Sequence, residues 1–62
     1  MVSIGAFDPT GGAGVLADIR VAGRFGVYGM SVLTAATSQN PRSFNGVEAV
    51  SDEMFRKQIS DV

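Results

Sequence analysis

Cysteine is absent from this chain of 62 residues, so no disulfide or thiolate metal site can hold it together, and its absence fits a reducing compartment. Basic clustering is missing too. Arg20, Arg24, Arg42, Arg56 and Lys57 are scattered and the net charge is −1, which argues against nucleic acid as a partner. The amino terminus carries no basic residues ahead of its apolar run over 2–7. That run is far too short for a signal peptide or a bilayer span, so a cytoplasmic protein without a membrane partner is expected. Repeats, low-complexity tracts and linkers are also lacking, which leaves one small domain at most.

What is present is globular in balance. Hydrophobic residues make up 45% and charged residues 18%, too greasy for a disordered segment. Yet a chain this short buries a smaller share of its surface than a larger domain does and has little margin for folding alone. Residues 2–7 read as a strand, ended by the turn signal Asp8-Pro9-Thr10-Gly11-Gly12. Ala13 to Phe25 follows a helical pattern, with Gly26 as its stop. Met30 to Thr37 is a nearly continuous run of small and β-branched residues, the pattern of a strand covered on both faces of a parallel sheet. Gln39-Asn40-Pro41 breaks it. Phe44 to Val50 reads as a short strand with a bend or bulge at Gly46. Ser51 then caps a helix whose first turn holds Asp52 and Glu53 and whose apolar face holds Phe55, Ile59 and Val62. Strand, glycine loop, helix and strand make a βαβ unit with an expected right-handed crossover. The last apolar stripe ends on Val62 without a polar tail, and truncation of a longer domain is the expectation.

Asp8-Pro9-Thr10-Gly11-Gly12-Ala13-Gly14 is the first chemical candidate. Three glycines in four residues permit positive φ and close approach of a ligand to the backbone, and the free amides of a helix start can bind a polar group. A tight turn capped by Asp8 or Thr10 explains the same residues without a ligand. A P-loop needs lysine and Ser or Thr where Val15 and Leu16 stand. Gly12-Ala13-Gly14-Val15-Leu16-Ala17 meets the loose dinucleotide pattern. However, it starts four residues past the strand, and no acid lies between Asp18 and Glu48 to meet a ribose.

Asp18 is the second candidate. At about 100° per residue it shares a helix side with Val15, Ala22 and Phe25 and turns away from Arg20 and Arg24. That sector is expected to be buried, and a buried carboxylate needs a partner, either a protein donor or a ligand hydroxyl or amine. Gln39 is the third. It ends the long strand, where parallel α/β sheets collect ligands, and its amide offers a donor and an acceptor to a heteroaromatic edge. A solvated loop residue is the plainer reading.

The ordered set Asp8-Pro9-Thr10-Gly11-Gly12-Ala13-Gly14, Ala17-Asp18, Gly26-Val27-Tyr28-Gly29, Thr34-Ala35 and Ser38-Gln39-Asn40 resembles the opening of the hydroxymethylpyrimidine/phosphomethylpyrimidine kinases of thiamine biosynthesis, within the ribokinase-like superfamily. Pyridoxal kinases are their near relatives. The resemblance implies an α/β fold, with residues 1–62 forming the amino-terminal β-α-β-(β)-α portion, itself incomplete, of the parallel-sheet sandwich of a single ribokinase-like kinase domain. It implies ATP- and Mg2+-dependent phosphorylation of a pyrimidine hydroxymethyl group and then of the monophosphate. Asp18 and Gln39 would hold the pyrimidine, with Ala6 and Gly11 beside the ring. The catalytic base, anion hole, nucleotide and metal sites would lie outside these residues, leaving the 62-residue chain inactive by itself and the full-length protein a homo-oligomer. Ala6-Phe7 and Leu16 depart from the family pattern of glycine, serine or threonine, and glutamine. A pyridoxal or pyridoxine kinase, a non-catalytic dinucleotide-binding βαβ unit and a remnant that pairs with another chain are the alternatives.

Overall fold

A computed structural model describes residues 1–62 as β1 (Val2–Phe7), α1 (Gly14–Arg24), β2 (Met30–Asn40), β3 (Ser43–Ala49) and α2 (Asp52–Asp61). The three strands form one sheet in the order β1-β2-β3. β1 runs parallel to β2, from Val2 opposite Met30 to Phe7 opposite Ala36, with a register shift after Gly5. β3 returns antiparallel to β2, which makes the sheet mixed. No helix is long and apolar enough to cross a membrane.

Helix α1 begins at Gly14, which leaves the loop at φ +66°. Its cap residue, Ala13, has no side-chain hydrogen bond. The far end is closed by Gly26 at φ +71°, where the Val27 amide donates to the Ala22 carbonyl at 3.0 Å and the Gly26 amide to that of Gly23 at 3.1 Å. This is a Schellman closure, and it explains why the helix stops where the glycine predicts. Val15 and Ala22 are its buried residues.

β2 is longer and less covered than its sequence suggests. It runs through Gln39 to Asn40 because Asn40 does not break the strand but turns it. The Asn40 side-chain oxygen accepts from the amides of Arg42 at 2.8 Å and Ser43 at 3.1 Å, an Asx-type turn that starts the hairpin to β3. Val32 is 0% exposed, but from Leu33 to Asn40 half-buried residues alternate with exposed ones. Only one face of that stretch is covered, so the expectation of two covered faces is corrected. The bulge falls as Gly46 suggests. Ser38 pairs with Gly46 while Gln39 pairs with Phe44, which leaves Asn45 as the extra residue.

Helix α2 starts on Ser51, whose hydroxyl accepts from the Met54 amide at 3.1 Å. Phe55 and Gln58 carry its contact with the rest of the chain, whereas Ile59 and Val62 stay exposed. The Gln58 amide lies against β2, where its oxygen accepts from the Leu33 amide at 2.8 Å and its nitrogen donates to the Leu33 carbonyl at 2.9 Å. One residue further along, the Val50 amide donates to the Thr34 carbonyl at 2.9 Å. The side chain therefore continues the ladder where β3 leaves off.

Candidate functional site

The carboxyl end of β1 leads into the glycine loop, and the loop is a hydrogen-bonded turn. The Gly11 amide donates to the Asp8 carbonyl at 2.9 Å. Asp8 is 4% exposed, and its carboxylate accepts from the Thr10 amide at 2.9 Å and the Thr10 hydroxyl at 2.8 Å. The Thr10 amide, opposed by burial and supported by the Thr10 hydroxyl and the amides of Ala13 and Gly12, holds the Asp8 carboxyl below its ordinary pKa. Asp8 thus organises the turn, as the ligand-free reading of the loop anticipates. Gly14 has a stricter role. A Cβ there would run into the Ala6 carbonyl oxygen, so helix α1 can start this close to β1 only on a glycine. Gly11 is buried at φ +71° beneath the Arg20 guanidinium.

Gln39 reaches this same end of the sheet through its side chain. Its amide nitrogen donates to the Thr37 hydroxyl at 2.9 Å, and the Thr37 hydroxyl donates to the Phe7 carbonyl at 2.9 Å. Ala6 and Phe7, the start of the glycine loop and the Gln39 amide therefore share the carboxyl end of β1. Sequence reasoning missed Thr37. The signal was available in its spacing, two residues before Gln39 on the same side of a strand.

Asp18 is placed differently. It is exposed rather than buried, which corrects the expectation of a desolvated carboxylate. It also has a protein partner, since the Ser3 hydroxyl donates to it at 2.7 Å. Its apolar neighbourhood is as anticipated. Asp18 sits on a recess of about 630 Å³ lined also by Val2, Val21, Ala22, Phe25 and Val27. It makes no ion pair, the sole salt bridge being Lys57 with Glu53. Ser3, however, lies opposite Ser31, and Gln39 is eight residues further along β2, about 26 Å at the usual strand rise. Even Phe7, to which the Gln39 side chain is linked, is four residues or about 13 Å beyond Ser3. One heteroaromatic ring does not bridge that interval in this conformation, so Ala6, Gly11 and Gln39 group at one end while Asp18 stands apart.

No three His, Cys, Asp or Glu side chains converge to hold a metal ion. The chain's own groups at the carboxyl end of β1 are hydrogen-bonding and steric ones.

A mixed α/β unit with a glycine loop between its first strand and helix, and an amide waiting at the strand ends, has the architecture of a ribokinase-like small-molecule kinase. Its superposition on known structures bears this out. Phosphomethylpyrimidine kinase from Clostridium difficile 630 matches with a TM-score of 0.96 and 41% identity, over 98% of this chain and 28% of that one. Bacillus subtilis pyridoxal kinase matches with a TM-score of 0.87 and 30% identity, over 98% of this chain and 24% of that one. Among curated proteins, the hydroxymethylpyrimidine/phosphomethylpyrimidine kinase of Rhizobium meliloti (strain 1021) is 46% identical over 98% of this chain and 23% of its own length. The phosphomethylpyrimidine kinase family profile matches residues 8–62. The chain belongs to the phosphomethylpyrimidine kinase family, a family of transferases in thiamine biosynthesis, and it spans about a quarter of the length of the kinases named above.

Proposed function

We propose that these residues form part of the substrate pocket of a kinase acting on 4-amino-5-hydroxymethyl-2-methylpyrimidine and then on its monophosphate. The observation that carries this reading is the Gln39 amide, anchored on one side at the carboxyl end of β1 and free on the other. A free amide edge pairs with a ring edge that combines a donor and an acceptor. Family membership supplies the reaction class. Ala6 and the Gly11 turn stand at the same strand end and would flank the ring. In this reading ATP and Mg2+ are handled by groups other than these 62 residues, and no chemical step is assigned to a side chain here.

Asp18 takes a positioning part, because its bond to Ser3 ties α1 to β1 well below the ring. A substrate of the pyridoxal type is the second reading, favoured by the close superposition on a pyridoxal kinase. The deciding experiment uses the protein expressed from its complete gene. Gln39→Ala should raise KM for the aminopyrimidine about tenfold or more, and pyridoxine should compete poorly with the aminopyrimidine. Unchanged kinetics in Gln39→Ala would overturn the assignment of Gln39, and preferential phosphorylation of pyridoxine would transfer the reading to the second substrate.

A further inference from the structure

We propose that Thr37 is a positioning residue that fixes which way the Gln39 amide faces, and that the fixed orientation selects a ring edge with an amino donor beside a ring nitrogen. The inference rests on the reading of Gln39 as a ring-contacting residue and adds to it a determinant of specificity.

The orientation follows from proton bookkeeping along a short chain of hydrogen bonds. The Phe7 carbonyl can only accept, so the Thr37 hydroxyl, 2.9 Å away, must spend its single proton there. That leaves the Thr37 oxygen only as an acceptor toward Gln39, also at 2.9 Å. The Gln39 atom facing Thr37 must therefore be the nitrogen. A flipped amide would set its carbonyl oxygen against an oxygen with no proton to give. The Gln39 oxygen and its remaining N–H make no other hydrogen bond within the chain.

The free carbonyl needs a donor and the free N–H needs an acceptor. An aminopyrimidine supplies both, the exocyclic amine to Oε1 and the neighbouring ring nitrogen to Nε2. The corresponding oxo-pyrimidine reverses both, placing a carbonyl opposite Oε1 and a ring N–H opposite Nε2. A site built to hydrogen-bond a substrate rejects the analogue that leaves its groups unpaired more strongly than it rejects a change of size. Without Thr37 the amide turns freely and accommodates either edge.

The test uses the protein expressed from its complete gene, with Thr37→Val, which keeps shape and removes the hydroxyl, and Thr37→Ser, which restores the hydroxyl. Binding of 4-amino-5-hydroxymethyl-2-methylpyrimidine and of its 4-oxo analogue is measured by calorimetry. Wild type should prefer the amino compound by about tenfold or more. Thr37→Val should lose most of that ratio, and Thr37→Ser should keep it. In parallel, the Gln39 side-chain NH2 resonances should exchange with solvent faster in Thr37→Val than in wild type or Thr37→Ser. An amino-over-oxo ratio unchanged in Thr37→Val would overturn the inference, and so would a Thr37→Ser variant indistinguishable from Thr37→Val. If wild type binds neither pyrimidine, the proposed function fails and ring selection fails with it. In that case the NH2 exchange still decides the orientation of the amide.

Discussion

Glycine 14 shows how one missing methyl group sets the geometry of the site. The chain passes so close to the Ala6 carbonyl that a Cβ has no room, and φ there is +66°. Gly14→Ala should destabilise the fold by about 1–3 kcal/mol, read as a lowered urea midpoint or loss of soluble protein; an unchanged midpoint would show that the loop can back away. Asp8 makes a different prediction. Its folded pKa is lowered, by the Thr10 amide first, so its stabilising contribution is complete above the unfolded value and fades as pH falls through the folded one. Stability should therefore decline from roughly pH 4 downwards, and Asp8→Asn should flatten that decline while weakening the turn near neutrality. An acid limb of equal slope in the variant would place its source elsewhere. At this scale the sequence was only partly legible. The glycine loop, Gln39 and the apolar company of Asp18 could all be read from spacing. The Ser3 partner and the exposure of Asp18 could not, because helical angle gives a side chain's sector but not what covers it.

The elements were easier to read than their edges. The strand over 2–7 and the helix over 14–24 lie within a residue of their sequence signals, since a turn cluster and a C-terminal glycine punctuate them. β2 outran its expected end because Asn40 satisfies the hairpin amides itself. Periodicity placed Phe55 on the inward face of α2 but could not reveal the hydrogen-bonded joint to β2, because that depends on one polar side chain, Gln58. Removing it should be costly. Gln58→Leu leaves the Leu33 N–H and C=O without partners and should cost about 1–3 kcal/mol. The loss should appear as faster hydrogen exchange at Leu33 with little change at Leu16 or Ile19; slow exchange at Leu33 in the variant would mean that another group shields it. Ser51→Ala removes the cap of the same helix and should cost about 1 kcal/mol.

Taken whole, the molecule is a slab of 32 × 31 × 9 Å measured on Cα atoms. Val15, Ala22 and Val32 are its only buried hydrophobic side chains, while Phe25 and Tyr28 are each 81% exposed. Burial of this extent offers little against the entropy of ordering the chain. The 62-residue peptide by itself should melt without a sharp transition, bind a hydrophobic dye and self-associate. A cooperative, concentration-independent melt without dye uptake would show that the thin slab suffices. Composition suggested this weakness, but the apolar pattern of β2 misled in detail. Such a run signals a strand fit to be covered twice, and here one side is open from Leu33 onward.

The amide of Gln58 at Leu33 carries one more consequence. Because a side chain occupies that length of backbone, an invading peptide cannot pair with the stretch of β2 that β3 leaves open without first prising a helix away. Runaway cross-β stacking, a hazard for any uncovered strand, meets a stopper there, and fibril assembly should accelerate in the leucine variant.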